Sequence, residues 1–183
     1  MNVLVGYATA HGSTREVGEH IAARLGEKGL RAEARPMREV DDADAYQAYV
    51  LGSAVHGQAW LEEAKDFLRS NSDLLRSRPV WVFSVGMPDA LRGPWKRTAA
   101  RKEDDVLAKD LAELVPFRGH RLLSGVIRPG HLPLTGRVFF RLMGCRYGDF
   151  RDWPAIEGWA DRIAREYGPG PREYRPGHGS PAE

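Results

Sequence analysis

The chain has a single cysteine, Cys145, in 183 residues. One thiol can form neither an internal disulfide framework nor a cysteine-based metal site. Long apolar runs are missing too: none approaches the roughly 20 residues that a membrane-crossing helix needs. Positive charge is in small excess, with a formal net charge of +2. That is too little to mark a nucleic-acid binder, and no basic platform interleaved with aromatics accompanies it. No composition shift or repeat divides the chain, so its length suits one domain with a sizeable core. The N-terminus enters a strand pattern directly, without the pattern of a signal peptide. These absences point to a soluble cytoplasmic protein, with contact at the inner face of a membrane still open, and with a homo-oligomer as open as a monomer.

What is present is an alternation of short β patterns and helical patterns. Val3–Ala8 is apolar and rich in β-formers, as a buried parallel strand should be. A helical pattern runs from Thr14 to about Lys28, with Val17, Ile21 and Leu25 on one face and Gly29 placed to end it. Between them lies Thr9-Ala10-His11-Gly12-Ser13-Thr14. A small, hydroxylated loop between strand and helix lines up backbone N–H groups in front of the positive end of a helix dipole, which suits a phosphate. Thr9, Ser13 and Thr14 add hydroxyls, and Gly12 lets the backbone come close. No Lys or Arg lies inside the loop, and the Gly-Lys-Ser/Thr ending of a nucleoside triphosphate loop is missing. The loop therefore suits a compact phosphate monoester held by neutral donors. The same residues also fit an ordinary strand-to-helix turn, since Ser13-Thr14-Arg15-Glu16 has the form of a capping box.

Further on, Leu30–Arg35 alternates like an edge strand. Ala48–Ser53 is a second buried strand, followed by the loop Ser53-Ala54-Val55-His56-Gly57-Gln58-Ala59-Trp60 and a helix carrying Leu61, Ala64 and Leu68. Pro79–Gly86 is the clearest strand. Gly86 and Met87 then open a long loop through Trp95 to Arg97, and loops of that length are more often functional than idle. Asp104 and Asp105 look like the start of a helix through Leu107, Leu111 and Leu114. Arg121–Arg128 reads as a fifth strand, and Pro154–Ala164 as a closing helix with Ile156, Trp159, Ala160 and Ile163 inward. This alternation predicts a doubly wound parallel α/β sheet, with the ligand at the carboxyl ends of its strands. At that edge Trp60 fits either a platform for a flat ligand or the core, and His56 fits either a ligand edge or open solvent.

Between the fifth strand and the last helix, Pro129–Asp152 is longer than such links usually are. Gly136–Gly144 has a short helical pattern in which Val138, Phe139, Leu142 and Met143 form an apolar face, with Arg137 and Arg141 one turn apart elsewhere. Asp149 is the only acid from Arg118 to Arg151. Apolar residues beside arginines suit an anionic, greasy partner or a membrane surface, or else a cover for the sheet edge with solvated cations.

Thr9–Thr14 resembles the phosphate loop of the flavodoxin family, Thr/Ser-x-Thr-Gly-x-Thr, with His11 in place of the middle threonine. Over roughly Asn2 to Tyr167 the chain looks like the flavodoxin-type, menaquinone-dependent protoporphyrinogen oxidase group. The likeness lies in that loop, in Gly52-Ser53-Ala54-Val55-His56-Gly57, and in the apolar-basic segment before Asp152-Trp153. The segment after the fifth strand departs from it, being short and holding Pro129, Pro133 and Gly136, and no residue matches a known substrate contact. The resemblance implies a flavodoxin-like fold: a five-stranded parallel sheet in the order 2-1-3-4-5 with helices on both faces. Residues 1–167 would form the FMN-binding domain and 168–183 a disordered tail. Thr9, Ala10, His11, Gly12, Ser13 and Thr14 would hold the FMN phosphate. Ser53, Ala54, Val55, His56, Gly57, Gln58, Gly86 and Met87 would meet the ring. Trp95, Arg128, Arg137 and Arg141 would face a small hydrophobic redox partner, a porphyrinogen or a quinone, in haem biosynthesis. The flavin would carry the chemistry, so neither a catalytic side chain nor a metal is expected. The alternatives are an electron-carrying flavodoxin and a protein of the same fold that binds no flavin. Carriers of that kind are typically acidic and meet basic partners, which the Arg-rich balance here disfavours.

Overall fold

The computed structural model describes residues 2–87, 96–131, 134–142 and 144–167. Trp95 with the rest of 88–95, Met143, the tail 168–183 and the side chain of Phe139 lie outside the described residues.

Strands β1 (Asn2–Ala8), β2 (Arg31–Pro36) and β3 (Ala48–His56) are followed by a short β4 (Ala59–Trp60), then β5 (Val80–Gly86) and β6 (Gly119–Ser124). The long strands form one parallel sheet in the order β2-β1-β3-β5-β6. Counting these five alone, this is the 2-1-3-4-5 order. Side chains alternate across β1: Val3 and Val5 face helices α1 (Ser13–Glu27) and α6 (Trp153–Tyr167), where they join Ile21, Leu25 and Trp159. Leu4 faces the other way, with Leu68 of α2 (Glu62–Ser70), Leu75 of α3 (Ser72–Ser77) and Leu107 and Leu111 of α4 (Lys96–Leu114). A sheet covered on both faces explains why its inner strands read as continuous apolar runs. Ile156, Trp159, Ala160 and Ile163 are buried, as their spacing requires. Helix α1 closes in a Schellman motif: Gly29 N–H donates to Gly26 and Leu30 N–H to Leu25, with Gly29 at φ 86. No helix among the described residues is long and apolar enough to cross a membrane.

Several elements differ from the sequence reading. Helix α4 begins at Lys96, well before Asp104. Its first turns, Lys96–Lys102, carry no apolar stripe to reveal them, although Ala, Lys and Arg are good helix formers. Helix α3 was not expected. Strand β3 runs on to His56 and turns back into β4 through Gly57 (φ 59) and Gln58 (φ 63), a two-residue hairpin with both central residues left-handed. The stretch 53–60 is therefore mostly strand rather than loop. Trp60 is core: it is buried, and its indole Nε1 donates to Ser84 Oγ at 2.7 Å.

The fifth strand breaks at Gly125, where a Cβ would lie 2.8 Å from Val85 Cγ1. Beyond it, β7 (Val126–Ile127) leaves the sheet and pairs antiparallel with β8 (Gly148–Asp149). Between them lie a 3-10 turn, Pro129–His131, and α5 (Leu134–Leu142). Phe140 anchors α5 against Ile127, Cys145, Tyr147 and Phe150. Val138 and Leu142, of the expected apolar face, are 59% and 80% exposed.

Trp60 and Ser84 belong to a buried polar chain that continues to His120 Nε2, 2.8 Å from Ser84 Oγ. His120 Nδ1 lies 2.9 Å from Asp104 Oδ1, but not in hydrogen-bonding geometry, so that contact is electrostatic. Burial pushes the His120 ring below the usual imidazole range, with the Asp104 carboxylate opposing. The unfolded chain then binds this proton more readily than the folded one. Stability from this group is full above about pH 6.5 and is lost as pH falls through the folded value beneath it. His120→Gln should flatten the acid side of a plot of Tm against pH; an unchanged slope would show that another group carries it.

Candidate functional site

A cleft opens at the carboxyl edge of the sheet, where β1, β3, β5 and β6 all release their loops. Thr9, Ala10, His11, Ser13 and Thr14 form one wall, and Ala54, Val55 and His56 come from the end of β3. Val85 and Gly86 come from β5 and Met87 follows it, and Gly125, Val126, Ile127 and His131 come from the segment beyond β6. Parallel strands converge on this edge, so residues far apart in sequence meet there.

The loop after β1 is shaped by Gly12, the N-cap of α1, at φ 93. A Cβ there would meet nothing within 4 Å, so the backbone faces open space. Gly12 N–H donates to Thr9 Oγ1 at 2.9 Å. The capping box that Ser13-Thr14-Arg15-Glu16 could also have formed is not made. Ser13 is the first helical residue, and its Oγ accepts from the backbone N–H of Val126 at 3.2 Å. No side chain caps α1, which leaves the amides of its first turn to meet an anion. Thr14 is buried beneath the loop.

Of the other sequence candidates, Ser53 is buried and serves the hairpin: its Oγ donates to the Ala54 carbonyl and accepts from Leu61 N–H. Gly57 and Gln58 sit at the exposed hairpin tip and do not line the cleft, whereas the exposed His56 does. Arg128 lines a second, polar cleft that shares His11, Ser13 and His131 with the first and adds Glu16, Asp149 and Arg151. Arg151 is tied to Asp149 and to Glu16. Arg137 and Arg141 of α5 line neither cleft.

Gly125, Val126, Ile127 and His131 were missed as site residues. His131 stacks on His11, with ring centroids 4.1 Å apart and planes 10° apart. Burial, His11 and Arg128 together hold the His131 ring below the usual imidazole range. The one available signal was the glycine at 125, which marks a strand break that brings the next residues to the cleft that the loop Thr9–Thr14 also lines. Among the described residues, no group of three or more His, Cys, Asp or Glu side chains is placed to hold a metal ion.

The family model described as "Flavodoxin domain" matches residues 4–143. Protoporphyrinogen IX dehydrogenase [quinone] of Escherichia coli (strain K12) is 26% identical over 177 residues, covering 90% of this chain and 95% of that protein. Among solved structures, oxidised flavodoxin 2 from Bacillus cereus superposes with a TM-score of 0.57 at 20% identity, covering 91% of this chain and all of that one. A flavodoxin from Streptococcus pneumonia superposes with a TM-score of 0.54 at 15% identity, covering 91% and 99%. These likenesses show a common fold. FMN is the cofactor of flavodoxins, and the donor set here fits it: neutral hydroxyls, an uncapped helix start and an open Gly12 at one end, apolar strand ends at the other. By its matched length and its sheet order, the chain belongs to the flavodoxin domain family.

Proposed function

We propose that this chain is an FMN-dependent oxidoreductase acting on a small hydrophobic redox partner, either a porphyrinogen, whose carboxylates make it anionic, or a quinone. The observation that carries this reading is the layer added after β6. The segment 125–142 walls the cleft with Val126 and Ile127, brings Arg128 beside it, and exposes Val138 and Leu142 next to Arg141. An electron carrier that meets basic proteins has no use for such a surface. The 26% identity to a protoporphyrinogen dehydrogenase over nearly its whole length supports the same reading.

Bound FMN supplies the electron transfer. The chain's part is to bind and orient it. The amides at the start of α1 and the hydroxyls of Thr9, Ser13 and Thr14 hold the phosphate, with Ala10, His11 and Gly12 shaping the loop. Ala54, Val55, His56, Gly86 and Met87, which line the cleft, would meet the ring. Arg128 draws in the carboxylates or carbonyls of the partner, and α5 rests against it or against an anionic membrane surface.

The purified protein should carry oxidised flavin, seen in its visible spectrum. Protoporphyrinogen should be converted to fluorescent protoporphyrin with a quinone as acceptor. Reversing Arg128 and Arg141 to Glu should leave FMN bound and lower kcat/KM on the order of tenfold, most strongly at low salt. Full activity of this double variant would reduce the segment to an edge cover. Reduction of a basic redox protein, without turnover of porphyrinogen or quinone, would make the chain an electron carrier.

A further inference from the structure

Two histidines far apart in sequence lie face to face at the phosphate loop. His11 belongs to the loop itself, and His131 ends the 3-10 turn after β7. Their rings stack at 4.1 Å and nearly parallel. Both line the cleft that Thr9, Ser13 and Thr14 line, and both line the polar cleft beside it. Arg128 N–H donates to His131 Nδ1 at 3.4 Å, so the neutral ring carries its proton at Nε2. Among the described residues no Lys or Arg lines the first cleft, and His11, His56 and His131 are the described groups there that can become cationic.

We propose that the stacked His11–His131 pair is a protonation-dependent clamp on the phosphate monoester, and that His131 is a phosphate-positioning residue. This rests on reading Thr9–Thr14 as the phosphate loop. Two imidazolium rings 4.1 Å apart repel each other. A phosphate dianion reverses that balance, since an anion within a few ångströms favours the charged form of a histidine. The surrounding charges leave this role to the histidines. Arg128 adjoins His131 and opposes its protonation. Glu16 of α1 and Asp149 of β8 are both tied to Arg151 and so do not already neutralise the pair. His56 lies in the same cleft, on the strand β3.

The test titrates flavin-free protein with FMN and with riboflavin by fluorescence quenching. Calorimetry in two buffers of different ionisation enthalpy then gives the protons exchanged. At about pH 7.5 FMN is almost wholly dianionic, since a phosphate monoester has its second pKa near 6. FMN should bind there with net proton uptake and riboflavin without it. The Kd for FMN should rise several-fold between about pH 7 and about pH 8.5, across the upper flank of imidazole titration. His131→Asn, checked for native Tm, should lose the uptake and the pH slope, and should bind FMN at about pH 7 no better than the unaltered protein does at about pH 8.5. His11→Asn should do the same. FMN preferred over riboflavin but bound without proton uptake would overturn the clamp and leave the phosphate loop standing. Uptake that persists in both variants would also overturn it. Equal binding of FMN and riboflavin would overturn the loop, and the clamp with it.

Discussion

Replacing Gly52 by alanine is expected to lower Tm by about 6–12 °C. Gly52 lies in β3 directly opposite Phe83 of β5. A Cβ built at Gly52 would stand 2.1 Å from Phe83 Cζ and 2.3 Å from Cε1 and Cε2. The ring lies flat over the glycine and has nowhere to swing. It is fully buried, and it meets Trp159 edge-on with centroids 6.1 Å apart. Overpacking of this kind costs about 1–3 kcal/mol, and contact with a rigid ring belongs at the upper end. At this chain length each kcal/mol moves Tm by roughly 2–4 °C. Gly52→Ala combined with Phe83→Leu should be more stable than the sum of the two single changes predicts, because the smaller side chain removes the clash. A Tm within about 2 °C of the unaltered protein would show that the ring does not rest on Gly52. Since Gly52 precedes Ser53 and Ala54, the same change should also loosen the β3 end of the cleft.

The second large effect is expected at Thr9–Thr14, the loop proposed to hold the phosphate. Gly12→Val together with Thr14→Ala should weaken FMN by about 100-fold or more while affecting riboflavin far less. A lost hydrogen bond to a charged group is worth about 1.5–3 kcal/mol. Valine at φ 93 is strained by about 1–2 kcal/mol, which the loop relieves by leaving the geometry that receives the phosphate, and its side chain fills the open space before the loop. About 1.4 kcal/mol is tenfold in affinity. Riboflavin has no phosphate, so only its ring contacts would register the change. Equal losses for the two ligands would show that the loop does not read the phosphate.

What the sequence determined by itself was what local periodicity carries. Val3–Ala8 declares a strand buried on both faces. Val17, Ile21 and Leu25 declare the inner stripe of α1, and Ile156, Trp159, Ala160 and Ile163 that of α6, because each pattern records the face that must leave water. Thr9–Thr14 stood out as a candidate loop for a similar reason: its hydroxyls, its glycine and its place between strand and helix are adjacent in the chain. Gly29 foretold its own αL position. Where the signal was not periodic, the chain gave less. Lys96–Lys102 has no apolar stripe, so the start of α4 was hidden, and Gln58 is not a residue whose type announces a left-handed turn.

Only the tertiary structure decided which side chains share a site. Trp60 turns inward because Ser84, on another strand, offers its indole a partner. Ser13 does not cap its own helix because Val126 N–H lies within reach of its hydroxyl. His131 has no local mark that links it to His11. It reaches His11 because the fifth strand stops at Gly125, where Val85 leaves no room for a side chain, and the chain then pairs with β8 instead of the sheet. The Ser13–Val126 and His11–His131 contacts join residues more than a hundred positions apart. They depend on how the sheet edge is closed, which no local pattern records.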